Sequence, residues 1–559
     1  MKLNLRWQIL LAVVCLSLVL SLLSFQVQTA NLCTQTVPAS GGIFVEGVVG
    51  LPRQINPLLS DPNPVDQELV SLIFDGLTRY DATGRLVPNL AESWQVSDDG
   101  LTVQFTLRDD AHWQDGEPVT AADVAFSYGL LQDEAFPAPA NVRALWQAVT
   151  IRTDGDWSVS FDLPSAYAPF LETTTRGLIP AHLFDGMSPA QVVTAAFNQA
   201  PVGTGPFMVE DASWTRTGRL HLLPNPSYWQ QGIQLDALEF RFFADEEALL
   251  AAYQAGELQA INRVYPAILA ELAASPDVRL FTTTQPRFTE IIFNVWPDAG
   301  SPVAEFELRA GLAYGLDRQQ VIDEAMMGQA FPLDGPYLPT SWAYRSVPAP
   351  FSHQPVSATV SLNESSYNIL PDGAATRQNE AGAPLQLRLL FIADSEQAAV
   401  AAAIARQWET LGVQVEPLGL ARDEYHQALV DRAFDVAVVT VTPAGDPDLY
   451  DFWSQEAIIR GQNYSGWNNR RASEALETAR QTWDPAVRAE EYDRFQRLFA
   501  SELPALTLFQ HSYTYAISAG VNEVSIGRID SPRERYETMP QWFFLYRDVT
   551  VICPEETPG

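Results

Sequence analysis

Asp446 and Asp448 flank Pro447 in the segment FDVAVVTVTPAGDPDLYDFW, which runs from Phe434 to Trp453. Two acids this close can work as a general acid and base, pair with a ligand's cation, or build a turn ahead of the proline. Val436 to Val441 is a run of β-formers that predicts a strand, and Pro443, Ala444 and Gly445 end it. Such strand-to-loop breaks are common places to hold a ligand. Tyr450 and Trp453 follow at once, and large flat side chains bury ligand area at low entropic cost. Hydrolysis is the weakest of the three roles. Glycoside cleavage needs two carboxyls facing each other across a bond, and neither Asp446 with Asp448 nor Asp109 with Asp110 offers that from within one turn.

Little else in the chain suggests catalysis. The six histidines lie far apart, no Cys/His cluster has metal-ligand spacing, and neither H-E-x-x-H nor G-x-S-x-G occurs. Lys2 is the only lysine, so Schiff-base and P-loop chemistry are absent from the body. GTGPF, Gly203 to Phe207, lacks the G-K-[ST] of a phosphate loop and reads as a tight backbone turn. In DDAHWQDGEPVTAADVAF the acids are structural: Thr120 caps a helix and Asp123 sits in its first turn. No cofactor is expected. With 34 basic against 68 acidic residues the net charge is −34, which repels phosphate backbones and argues against nucleic acid and anionic lipid as partners.

The elements that must position these residues are mixed α and β. LTVQFTLR alternates as a strand, VTIRTDGDWSVSFDL reads as a hairpin, and LDALEFRFFADEEALLAAYQAGELQA as a strand followed by an amphipathic helix. FTEIIFNVW is a strand, and LRAGLAYGLDRQQVIDEAMMG one amphipathic helix. Residues 345–384, rich in Pro, Ser, Asn and Gly, read as a long surface loop. LQLRLLFIADSEQAAVAAAIARQWETLGVQVEPLGL is a strand–helix–strand unit, and Ala472 to Ala500 is helical. Length and a 47% hydrophobic content predict a large core in more than one domain.

Ahead of this body, Lys2 and Arg6 precede an unbroken apolar run from Ile9 to Phe25, the pattern of a secretory signal. Three exits stay open: cleavage after Ala30, which puts Gln28 where a small residue is preferred; lipidation of Cys33, which lacks small residues before it; and retention as an anchor. All three export the protein. Cys33 and Cys553, near the two ends, can form a disulfide in an oxidising compartment, or remain exposed thiols.

Several stretches occur in an order shared with a known family: INPLL (Ile55–Leu59), LAESWQVSDDGLTVQFTLRDDAHWQDGEPVTAADVAFSY (Leu90–Tyr128), GTGPF, LRAGLAYGLDRQQVI (Leu308–Ile322) and LPALTLF (Leu503–Phe509). On these residues the chain resembles the family 5 extracellular solute-binding proteins, the dipeptide and oligopeptide receptors of ABC importers. The resemblance implies an α/β, two-lobed, periplasmic-binding-protein-like (type II) fold with a subdomain inserted in the first lobe. After the signal or anchor at 1–30, lobe I would comprise 41–88, 199–288 and 507–553, the insertion 89–198 and lobe II 289–506. The chain would cross between lobes near Gln285–Glu290 and Leu503–Thr507. The implied role is non-catalytic: a monomeric, exported receptor, periplasmic or on the outer face of the cytoplasmic membrane, that delivers a peptide or related small solute to an ABC permease. Oligosaccharides, opines, haem and chelated nickel are further ligands of the superfamily.

The family's peptide receptors carry a Gly-Trp-x-x-Asp-x-x-Asp-Pro pattern on the loop after the opening strand, and its first Asp pairs with the peptide's amino group. Aligned on Asp446-Pro447, Pro443 stands where that Asp is expected and Thr440 where the Trp is. A buried ammonium needs a paired anion. Either Asp446, Asp448 or another acid supplies it, or the ligand has no such amine; free dipeptides and tripeptides are therefore expected to bind poorly. The expected ligand contacts are Asn294, Thr440, Pro443, Asp446, Asp448, Tyr450 and Trp453.

Overall fold

A computed structural model describes residues 5–29, 32–61, 63–81, 84–230, 233–346, 351–443, 445–527, 529 and 532–552. Its backbone is an eleven-stranded sheet: β1 (Ile43–Val49), β2 (Phe207–Val209), β3 (Arg219–Pro224), β4 (Ala237–Phe243), β5 (Ala260–Ile261), β6 (Val278–Phe293), β7 (Ala330–Pro332), β8 (Gln386–Ile392), β9 (Gln414–Leu420), β10 (Val436–Val441) and β11 (Ala505–Ser518). The order is β9-β8-β10-β6-β11-β5-β1-β4-β3-β2, with β7 also paired to β11. Parallel strands lie on both sides: β8 with β9 and β10, and β1 with β4 and β5. Among the described residues the two long strands β6 and β11, antiparallel to each other, are the only ones that run through both halves, which makes the molecule two-lobed.

Their register slips between Thr284/Phe288, where Thr284 faces Ser512 and Phe288 faces Gln510. A bulge locally disrupts a ladder and bends the strand. Ala505 to Thr507 pair with Ile292 to Glu290 in the second lobe.

In the second lobe, helix α1 (Glu396–Glu409) links β8 to β9. Ser395 caps it by accepting from the Gln397 N–H, and Val400, Ala403, Ile404 and Trp408 bury its inner face. Helices α2 (Arg470–Gln481) and α3 (Pro485–Glu502) cover the other face; Pro485 lacks an N–H, so it opens α3 and keeps the two helices apart. The single helix expected from Leu308 onward is two, Phe306–Tyr314 and Arg318–Met326, with Asp317 capping the second. The loop expected over 345–384 contains a helix, Pro355–Glu364, whose Leu362 packs on Gly311: a Cβ on that glycine would come within 2.6 Å of Leu362 Cγ.

Beside the first lobe stands a separate antiparallel sheet of Ala91–Val96, Thr102–Leu107, Ser158–Asp162 and Thr150–Thr153. Phe105, Tyr128, Trp146, Phe161 and Phe170 form its core, with Tyr128 stacked on Trp146 at 4.3 Å. The Thr120/Asp123 capping box is present. Gly203 and Gly205 press on the Ile73 backbone, where a Cβ on Gly203 would lie 1.9 Å from the Ile73 carbonyl oxygen. The apolar N-terminal run is helical, Leu5–Thr29, and Leu32–Ala39 pairs with Leu545–Ile552 in a two-stranded ribbon. Among the described residues no helix is long and apolar enough to cross a membrane. The Cys33 side chain and Cys553 lie outside the described residues.

Candidate functional site

The loop that leaves β10 is held from behind by two arginines. Arg488, on α3, donates to Asp446 at 2.6 Å and to the Tyr492 hydroxyl at 2.9 Å. Arg480, on α2, donates to Asp448 through Nε at 2.9 Å and Nη2 at 2.6 Å. Asp448 also accepts the Tyr450 N–H, and the Tyr450 ring lies 4.2 Å from the Arg480 guanidinium. Burial pushes the Asp448 carboxyl above its usual range, while Arg480 opposes the shift. Both acids are thus spent on the protein's own cations. They brace the loop from behind.

Thr440 and Pro443 lie on the same strand end and loop; the Thr440 hydroxyl sits 3.1 Å from that of Thr289 and 3.3 Å from Gln397 Nε2. Asn294 and Trp453 are elsewhere. Asn294 is fully buried, donates to the Arg432 and Phe434 carbonyls and accepts the Trp296 N–H, so it ties the end of β6 to the turn before β10. Trp453 packs edge-on against Phe499 at 4.9 Å in the core of the second lobe. The structure places both of these expected contacts in the buried framework of the second lobe.

Beside the register slip of β6 and β11 the structure assembles a polar cluster that sequence reasoning missed. His511 on β11 is 2.9 Å from the Thr289 hydroxyl on β6, and Arg287 on β6 pairs with Glu396 at the start of α1. Burial, followed by the Arg287 and Arg263 charges, depresses His511 to about 3, so its imidazole is neutral at any physiological pH. Thr440 and Gln397 border this cluster. Its only trace in the sequence is a lone histidine in the β-run LTLFQHSYTYAIS.

The front of the loop meets the other body. Glu172, on the short helix Phe170–Thr173, accepts the Gly445 N–H at 2.5 Å and the Asp446 N–H at 2.9 Å. Close by, the Ala168 N–H donates to the Arg480 carbonyl at 2.8 Å, and Trp483 Nε1 to the Gly100 carbonyl at 3.1 Å. The loop therefore lies in a seam between the second lobe and the unit built on the four-stranded sheet.

A family model described as bacterial extracellular solute-binding proteins, family 5 Middle, matches residues 85–457. Protein XP55 of Streptomyces lividans is 28% identical over 475 residues, 84% of this chain and 83% of its own. The dipeptide-binding protein of Escherichia coli (strain K12) is 24% identical over 493 residues, 83% of this chain and 88% of its own. NikZ from Campylobacter jejuni, solved in complex with Ni(L-His), superposes with a TM-score of 0.69 at 20% identity, over 90% of this chain and 99% of that one. That last likeness bears on the fold alone.

Proposed function

The chain belongs to the bacterial extracellular solute-binding proteins, family 5, and from that premise we propose that it is the exported, monomeric receptor of an ABC import system. It captures a small solute between its lobes and presents it to a membrane permease, without chemical turnover. The lobes we assign are 41–88 and 199–288 with the C-terminal segment, against a second lobe from 289, with 89–198 inserted; the return crossing is placed at Gln510–Ser512.

The observation that carries the reading is the state of the loop acids. Asp446 and Asp448 are each locked in an ion pair, so they cannot serve as the acid–base pair of a hydrolase. The same pairing, with Pro443 in the place of a peptide receptor's amine anchor, supports a ligand without a free ammonium at this loop. Relatives named for a dipeptide and for Ni(L-His) indicate how widely the scaffold's cargo varies.

The test is to extract whatever small molecule co-purifies with the native protein, identify it by mass spectrometry and return it to stripped protein in a calorimeter. Stoichiometric, reversible binding with no product is the expected result. Product formation from peptides or glycans without any partner protein would overturn the receptor assignment.

A further inference from the structure

Glu172 is placed as a hinged trap would need a catch. Its helix is fixed on one side: Phe170 is buried in the aromatic core of the four-stranded unit, and the Thr174 hydroxyl lies 2.8 Å from that of Thr78. Thr78 begins the strand Thr78–Tyr80, which sets the Tyr80 ring against Gly445; a Cβ there would come within 2.3 Å of it. Across the seam the carboxylate takes two successive N–H groups of the ligand loop, one with each oxygen. One carboxyl group thus serves as the acceptor for two successive backbone donors that would otherwise be left without a partner in the seam. The loop they grip is also braced by Arg480 and Arg488, so its conformation cannot drift independently of α2 and α3.

We propose that Glu172 is the latch of lobe closure: when the lobes come together its carboxyl group captures the Gly445 and Asp446 N–H groups, fixing the loop beside the ligand and holding the cleft shut. The proposal rests on the receptor reading above. It also removes those two N–H donors from ligand recognition, because the protein's own carboxylate fills them.

The latch carries a proton linkage. Burial, reinforced by the Asp446 charge and opposed by the two backbone donors and the Tyr80 hydroxyl, pushes Glu172 up to about 7. Its neighbours across the seam are the Asp446–Arg488 pair backed by Tyr492, and beside it Asp448, Arg480 and Asp451 with Tyr167. Opening returns the carboxyl to water, where its ordinary value is 4.5. The closed state thus has the raised value, and closure takes up a proton. The gain in closure is fully present below about 4.5 and is lost as pH rises through about 7. Between pH 5.5 and 8 the closed-to-open ratio changes on the order of tenfold.

The test uses the full chain stripped of ligand. Small-angle scattering reports the closed fraction, and hydrogen exchange, corrected for intrinsic rates, reports protection of the 442–449 amides. Wild type is expected to be more compact and better protected at pH 5.5 than at pH 8. Glu172→Ala is expected to be open at both, and Glu172→Gln, which keeps one acceptor, to show intermediate closure without the pH response. Thermal unfolding of each variant confirms that the lobes are intact. Equal compactness and equal loop protection in Glu172→Ala and wild type overturn the latch while leaving the receptor reading standing. A molecule whose scattering never changes, even when its co-purified solute is removed and returned, has no closure to latch and fails both.

Discussion

Arg488 and Asp446 meet at 2.6 Å with 9% and 8% of their side chains exposed, a buried ion pair behind the loop that leaves β10. Their separation in sequence is 42 residues, so the pair pins the strand-to-loop break to α3. Removing one partner strands the other's charge in the interior. Asp446→Ala is expected to lower unfolding stability by about 3–5 kcal/mol. Replacing both, Asp446→Leu with Arg488→Met, is expected to recover most of that loss, since no orphan charge remains. Chemical denaturation of the single and double variants checks it; a double variant no more stable than Asp446→Ala would mean the pair does more than neutralise itself.

The amino end of a peptide gains nothing at this loop. N-acetylated and free forms of one dipeptide pool are expected to differ by less than a few-fold in calorimetric affinity, because the loop acids are already paired. Pro443→Asp restores an anion at the amine-anchor position. It is expected to improve binding of the free form alone, by about tenfold or more, the value of one hydrogen bond to a charged group. Tight, amine-dependent binding by the unaltered protein would contradict this.

Glu290 supplies a pH signature that does not depend on a ligand. It lies on β6 between Phe288 and Ile292, is almost completely buried, and its Oε2 has no hydrogen-bond partner among the described residues. Burial alone pushes it up to about 8 from the ordinary 4.5. A folded value above the unfolded one means stability is greatest in acid and is lost as pH rises through about 8. Glu290→Gln cannot ionise. Its stability relative to wild type should therefore climb between pH 4.5 and 8 by up to about 1.4 kcal/mol per pH unit, then level off. Parallel denaturation curves across that range would refute it.

What could be read from the sequence was local or ordered along the chain. The capping box, the strand over Val436 to Val441 and the Asp446-Pro447 frame follow from residue type and short spacing. The partners of the two acids do not. Arg480 and Arg488 lie 32 and 42 residues away in ordinary helical sequence, and only packing brings them to the loop. Trp453 packs in a core cluster, and an aromatic near a ligand loop has the same signature in sequence whether it walls a cleft or fills a core. The Pro355–Glu364 helix was read as loop because its Ser, Thr, Val and Asn are poor helix formers; contact of Leu362 with Gly311 outweighs that preference. Glu172 left no trace, since its role exists only across the seam.

Gly445 separates the stability of the lobes from the stability of their closure. In the observed arrangement a Cβ on it would fall 2.3 Å from Tyr80 Cζ and 2.4 Å from its hydroxyl oxygen, distances no real contact tolerates. Tyr80 lies on the far side of the seam, so the clash vanishes once the lobes part. Gly445→Ala is therefore expected to change the unfolding free energy by less than about 1 kcal/mol, within the range of surface substitutions. Affinity for the co-purified solute is expected to fall about tenfold or more, chiefly through faster release, because the closed state alone is destabilised. Tyr80→Ala removes the obstacle, and combined with Gly445→Ala it should restore slow release relative to Gly445→Ala alone. Stopped-flow release rates for the four proteins decide the matter: coupling between the two positions ties closure to this contact, and strict additivity would place the effect within the loop itself.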